Sequence, residues 1–244
     1  MMKKPLRYQP WLQAISNLIY PPLQQCSLCQ AKIESETDHG LCQSCYAQLP
    51  FLADSVCPVC GTPFPGGEIC GVCRQRQVAF TANRALFAYQ DKARDLILDY
   101  KYRFQPSLAD FFAAELTARR LPQYHFSQPP VLTWVPMTRS RLRERGYNPA
   151  LLLAEALCAA NGYLLQDTLV KTSQPPDQHG LSREQRWQVL ADVYQPVHRL
   201  NANGQVYLLV DDVYTTGATL HFCAAALKNA GAKDVFCLTA GLTL

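Results

Sequence analysis

Two carboxylates, Asp211 and Asp212, follow an apolar run at 206–210 and precede a turn of small, hydroxylated residues, Thr215, Thr216, Gly217, Ala218 and Thr219. Acids at the end of a strand are suited to accept hydrogen bonds from vicinal hydroxyls. A Thr/Gly turn that opens a helix suits a phosphate, because the first-turn N–H groups and the positive end of the helix dipole face the anion. Glycine lets the backbone approach closely, and threonine hydroxyls add donors. Diol acceptors beside an anion cradle describe a ribose 5-phosphate site. A Walker B strand also ends in paired acids, but it needs a Gly-Lys phosphate loop, and the chain contains no Gly-Lys dipeptide.

A second chemical constellation lies near the N-terminus. Eight of eleven cysteines form four C-x-x-C pairs: Cys26/Cys29, Cys42/Cys45, Cys57/Cys60 and Cys70/Cys73. Each such turn aims two thiolates at one point, and two turns close a tetrahedral site for Zn2+. Sequential pairing is the default, giving two structural zinc ions, each pair on a hairpin knuckle. Disulfides require an oxidising compartment, redox C-x-x-C motifs occur singly, and iron–sulfur quartets use other spacings. About fifty residues with few large apolar groups cannot fold on a core alone, so the metal supplies the stability. His39 reads as a surface residue, and Cys158, Cys223 and Cys237 as core residues.

The elements that must position these groups alternate from residue 83 onward. Strands are expected at 84–89, 131–136, 164–170, 206–210 and 235–240, and helices at 92–102, 107–121, 149–161 and 216–230, the last stopped by Gly231. Apolar strands joined by helices indicate a parallel sheet covered on both faces, which binds ligands at the carboxyl ends of its strands. The fold class expected is therefore α/β, a Rossmann-like parallel sheet preceded by a small zinc-ribbon module. The expected division is an amphipathic helix in 1–25, a double zinc ribbon in 26–75 and the α/β domain in 80–244. Trp11, Leu12, Ile15, Leu18 and Ile19 carry the helical stripe. No apolar run is long enough for a signal peptide or a membrane span, so a cytoplasmic location is expected.

The chain has 244 residues, 48% hydrophobic and 17% charged, with a net charge of +4. That balance permits polyanion binding without requiring it. Four arginines stand against one acid, Glu144, in RSRLRER at 139–145, a run that reads either as a phosphate-steering edge or as a solvated loop and helix start. Lys101, Tyr102, Arg103 and Tyr147 add interleaved basic and aromatic groups of the kind that track single strands.

The segment VDDVYTTGAT resembles the PRPP-binding motif of type I phosphoribosyltransferases. With the C-x-x-C pairs, VPMTRSRLRERGYN at 135–148 and QHGLSREQRW at 178–187, nearly the whole chain resembles the ComF/GntX family of competence-associated proteins. Pro149 and Gln188 depart from the family, which usually has glutamine and asparagine there. The resemblance implies a type I phosphoribosyltransferase fold, binding of PRPP or a related ribose phosphate with Mg2+, and a role in DNA uptake during natural transformation. It places pyrophosphate near Pro136, Met137 and Thr138, with Arg145 as the principal cation. The segment 178–188 becomes a closing loop whose Arg183 and Arg186 reach phosphates, with His179 exposed. Asp211 and Asp212 take the catalytic role of orienting the ribose. Partners implied are single-stranded DNA and other DNA-uptake proteins. The alternative is a non-catalytic adaptor for single-stranded DNA that uses the phosphate site as a sensor or strand contact.

Overall fold

The computed structural model describes residues 25–33, 40–103, 105, 107–172 and 193–244. The expected helix in 1–25, His39 and the segment 178–188 lie outside the described residues, Gln25 excepted. In chain order the helices are α1 (Gln43–Ala47), α2 (Gly71–Gln75), α3 (Asp91–Tyr102), α4 (Leu108–Arg119), α5 (Arg139–Arg145), α6 (Pro149–Asn161) and α7 (Ala218–Asn229). The strands are β1 (Ala82–Ala88), β2 (Val131–Trp134), β3 (Leu164–Leu165), β4 (Leu169–Lys171), β5 (Tyr194–Pro196), β6 (Val206–Tyr214) and β7 (Asp234–Leu242).

Five strands form a parallel sheet in the order β1-β7-β6-β2-β3. The fold class expected from the sequence is the one observed, a parallel α/β sheet with a cysteine module ahead of it. Alternation along β6 builds both faces. Val206, Leu208 and Val210 join Leu96, Ile97 and Tyr100 of α3, Phe111, Phe112 and Leu116 of α4, and Leu153 and Leu157 of α6. Tyr207 and Leu209 pack on the other face with Leu220, Cys223 and Leu227 of α7. Cys223 and Cys237 are fully buried core residues as expected, whereas Cys158 is only half-buried.

Connectivity locates a crevice. From β2 the chain passes through α6 to β3 on one side, and from β6 through α7 to β7 on the other. Because α6 and α7 cover opposite faces, the carboxyl ends of β2 and β6 flank a topological switch point, where open α/β sheets bind ligands.

Several expected boundaries differ by a few residues, and three of the differences have a clear physical reason. The strand expected at 206–210 runs to Tyr214, because Val213 and Tyr214 continue the ladder with Gly241 and Leu242. Helix α7 starts at Ala218 rather than residue 216, because Gly217 adopts a left-handed conformation (φ 79°) that stops the helix extending backward. The strand expected at 164–170 is two: Leu164–Leu165 extends the main sheet, while Leu169–Lys171 pairs antiparallel with Tyr194–Pro196. The basic stretch forms a helix, α5, whose start is capped by the Thr138 side chain.

The cysteine module is seated on the sheet. Between its two halves, Phe51 bridges Phe87, Leu52 N donates to Leu86 O at 3.0 Å and Ala88 N donates to Pro50 O at 3.0 Å. This short segment covers the open edge of β1, satisfying backbone groups that would otherwise template foreign strands. Buried Arg120 pairs with Asp54 at 3.1 Å, and buried Asn83 donates to Cys60 O at 3.0 Å.

Candidate functional site: two cysteine tetrads and a sheet-edge crevice

The eight cysteines gather sequentially, Cys26, Cys29, Cys42 and Cys45 in one group and Cys57, Cys60, Cys70 and Cys73 in the other, the sulfurs of each within 4.8 Å of one another. Four thiolates around zinc place neighbouring sulfurs about 3.8 Å apart, given a Zn–S bond of about 2.3 Å. Cys29 and Cys42 are 3.6 Å apart, and Cys60 and Cys70 are 3.8 Å apart. The geometry fits the metal.

One detail departs from the expected four knuckles. Cys26/Cys29 and Cys57/Cys60 sit in turns closed by the bridges Gln25↔Lys32 and Val56↔Pro63. Cys42 and Cys70 instead stand at the N-caps of α1 and α2, which carry Cys45 and Cys73. Both arrangements supply N–H groups to sulfur. Burial opposes the Cys26 thiolate, but backbone N–H groups of Cys42, Cys29 and Leu28 outweigh it and bring the thiol down to about 6. Burial likewise opposes the Cys57 thiolate, yet backbone N–H groups from Cys70, Cys60 and Val59 lower it to about 7.

At the sheet edge the expected groups converge from two loops. Val135 N donates to Val210 O at 3.0 Å, which ties the loop Val135-Pro136-Met137-Thr138 beside the diacid. Pro136 and Thr138 are buried and Met137 half-buried. Across the crevice, Thr215 is exposed, Thr216 and Thr219 are half-buried, and Gly217 and Ala218 are buried. Gly217 is required on two grounds. Its φ is positive, and a Cβ there would lie 2.8 Å from Tyr214 Cζ.

The diacid differs from expectation. Asp211 and Asp212 lie inside β6 rather than at its end, and the alternation that separates Val210 from Leu209 sends them to opposite faces. Asp212 Oδ1 is 2.7 Å from Lys101 Nζ. Asp211 accepts from the Asp212 N–H at 2.9 Å. Burial and the neighbouring Asp212 charge push the Asp211 carboxyl up to about 8, against the opposing pull of Lys101 and Lys171. With one acid paired and the other favouring its neutral form, this pair suits hydroxyl binding better than capture of a bare cation. A Mg2+ ion held chiefly by ligand oxygens, as magnesium prefers, fits such a site.

Beside the crevice a cleft of about 360 Å³ is lined by Lys101, Tyr102, Arg141, Glu144, Arg145 and Tyr147. The Arg145 guanidinium lies 4.5 Å from the centre of the Tyr102 ring. Lys101 and Tyr147, two of the interleaved basic and aromatic residues, already have partners within the protein. Lys101 pairs with Asp212, and the Tyr147 hydroxyl donates to the Tyr100 carbonyl. Arg183 and Arg186 lie outside the described residues, in the segment between β4 and β5.

Residues 15–74 match the double zinc ribbon domain family. The cysteine module is a double zinc ribbon. Along most of its length the chain is also similar to competence proteins. It is 26% identical over 225 residues to Competence protein ComFC of Bacillus subtilis, covering 84% of this chain and 89% of that one. It is 27% identical over 210 residues to ComFC of Streptococcus pneumoniae, covering 81% and 86%. It is 26% identical over 208 residues to DNA utilization protein YhgH of Escherichia coli, covering 82% and 89%. The resemblance to ComF proteins therefore extends beyond the ribbon into the sheet. Two solved structures align more loosely. Phosphoribosylpyrophosphate synthetase of Mycobacterium smegmatis is 17% identical with a TM-score of 0.32, over 55% of this chain and 33% of that chain. Glutamine PRPP amidotransferase of B. subtilis is 19% identical with a TM-score of 0.37, over 59% and 30%. The chain spans about a third of each, and overlaps this weak identify neither ligand nor reaction.

Sequence reasoning missed two lysines. Lys92, at the start of α3, donates to the ribbon ligand Cys45 Sγ at 3.4 Å. Lys101, at the end of the same helix, reads in sequence as one of the basic and aromatic residues and not as a partner of the diacid. Neither contact leaves a signal in residue spacing, since the partners are 47 and 111 positions away. Among the described residues no helix is long and apolar enough to cross a membrane.

Proposed function

We propose that this chain binds PRPP with Mg2+ in the crevice between β2 and β6 and transfers its phosphoribosyl group to an acceptor, in the setting of DNA uptake that the names of its relatives indicate. In this reading residues 26–75 support the fold, residues 80–244 carry the chemistry and residues 1–25 are a separate N-terminal segment. The observation that carries it is the left-handed turn at Gly217. It sits at the switch point, flanked by Thr215, Thr216, Ala218 and Thr219 and preceded by Asp211 and Asp212. A helix N-terminus with hydroxyl donors holds the 5-phosphate, and the acids accept from ribose hydroxyls.

Transfer breaks the bond from the anomeric carbon to pyrophosphate, which leaves with the electron pair while the acceptor nucleophile forms the new bond. The transition state has oxocarbenium character, and an orienting carboxylate nearby offsets its charge. Pro136, Met137 and Thr138 line the side where pyrophosphate departs, with Arg145 as a compensating cation and Arg183 and Arg186 assigned to closure. Asp211 and Asp212 would face a Mg2+ ion that the ligand itself mostly coordinates, and its chemistry there would be to neutralise charge on pyrophosphate.

Calorimetric titration of zinc-replete protein with PRPP and Mg2+ tests this. Saturable binding that disappears in Asp211→Ala/Asp212→Ala is expected, and wild-type protein that binds no PRPP rejects the reading. Pyrophosphate release in the presence of candidate acceptors, single-stranded DNA included, then tests transfer.

One observation favours a second reading, the non-catalytic adaptor for single-stranded DNA. Tyr102 is 64% exposed, Arg145 stacks on it, and Arg141 and Arg143 are exposed on the neighbouring helix. Such a patch should bind a single-stranded oligonucleotide with a steep salt dependence and lose affinity in Arg143→Ala. Affinity independent of salt rejects it.

A further inference from the structure

Lys101 stands between the diacid and the cleft, and nothing in the reading above uses it. Its ammonium is 2.7 Å from Asp212 Oδ1, and the two side chains are only 15% and 16% exposed. The same side chain lines the cleft with Tyr102, Arg141 and Arg145. Its backbone is fixed by neighbours in α3. Tyr100 is fully buried, its hydroxyl donates to Pro149 O at 2.6 Å, and its carbonyl accepts from the Tyr147 hydroxyl. The helix therefore holds its place, and only the lysine's flexible stem can redirect the charge.

Such a pair is weak evidence for stability, because desolvating two charges consumes most of their attraction. Its value lies in the field it leaves behind. Burial opposes the Lys101 charge, but Asp212 and then Asp211 outweigh it and hold the ammonium firmly protonated. Lys101 and Asp212 cancel, so a polyphosphate approaching through the cleft meets Arg141 and Arg145 without facing a bare carboxylate behind them. An ammonium carries three donors, enough to keep Asp212 and donate to a second oxygen.

We propose that Lys101 is a ligand-contacting residue of this site, holding Asp212 in the free protein and taking a phosphate oxygen of the ligand's pyrophosphate group when that group enters the cleft beside Arg141 and Arg145. The inference rests on the PRPP reading given above and adds to it a cation from a different helix, α3, than the one that follows β2.

Calorimetry on the full, zinc-replete chain separates the two claims. The probes are PRPP, inorganic pyrophosphate and ribose 5-phosphate, each with Mg2+. The variants are Lys101→Met, Lys101→Arg, Asp212→Asn and the double variant Lys101→Met/Asp212→Asn. Lys101→Met should weaken PRPP and pyrophosphate by about 10- to 100-fold, as expected for a lost hydrogen bond to a charged group, with much of the loss restored in Lys101→Arg. The double variant removes the Asp212 charge together with its partner, so it should remain folded even if Lys101→Met does not. It should bind pyrophosphate more weakly than Asp212→Asn alone. Equal pyrophosphate affinity in those two variants would show that Lys101 acts only on Asp212 and overturn the inference while leaving the PRPP reading intact. Wild-type protein that binds none of the three probes overturns both.

Discussion

At the scale of single residues, the crevice depends on two positions whose neighbours set their behaviour. The Asp211 carboxyl is pushed up to about 8, burial contributing most and the Asp212 charge next. An unfolded aspartate ionises near pH 4, so between about 4 and 8 the unfolded chain binds fewer protons than the folded one. This group's contribution to stability is complete below that window and is lost as pH rises through it. Asp211→Asn removes the dependence, and its melting temperature should exceed the wild type's by more at pH 9 than at pH 5. Equal differences at both pH values would show that Asp211 ionises normally. Gly217 is the second such position. Gly217→Ala forces a Cβ to within 2.8 Å of Tyr214 Cζ at a positive φ. Destabilisation of about 1–2 kcal/mol in urea unfolding is expected, together with loss of PRPP affinity. A variant that keeps both its midpoint and its binding would show that the turn relaxes freely.

At the scale of elements, α3 connects the two chemical centres. Lys92 near its N-terminus donates to Cys45 of the first zinc site, and Lys101 in its last turn pairs with Asp212. Thiolate ligands depend on such outer donors, which offset the charge that four sulfurs concentrate on one metal. Lys92→Met is therefore expected to release one of the two zinc ions about tenfold faster to a chromophoric chelator, the other being unaffected. Identical release of both ions would show that the contact does not tune the site. The short antiparallel pair β4–β5 was not legible in sequence, because Leu169–Lys171 forms strand only through pairing with Tyr194–Pro196, across more than twenty intervening residues.

At the scale of the whole molecule, the double zinc ribbon is part of the sheet's packing. Cys26, Leu41, Cys45 and Leu49 belong to the cluster under α3 and α4, whereas Cys57, Cys60, Cys70 and Phe80 belong to the cluster under α7. The ribbon's two halves thus enter opposite faces, and 50–52 covers the edge between them. Chelation of zinc should then lower the melting temperature of the whole chain, by about 10 °C if several kcal/mol are lost. Scanning calorimetry should record one displaced transition. A separate ribbon transition beside an unchanged sheet transition would show that docking contributes nothing to the sheet.

What the sequence determined by itself was whatever rests on local spacing. C-x-x-C pairs carry their own turn geometry, so two metal sites could be read directly, whereas spacing allows sequential or crossed pairing and the fold settles it as sequential. Apolar runs alternating with helical periods implied the parallel sheet, and the order of acids, threonines and glycine in 211–219 marked the turn proposed to hold a phosphate. The tertiary structure decided what depends on distant partners. Only strand pairing with β7 shows that β6 continues to Tyr214 and splits the acids between two faces. Only the packing of α3 brings Lys101 to Asp212. Charge pairing across more than a hundred residues is fixed by how elements pack, and no periodicity in the chain records it.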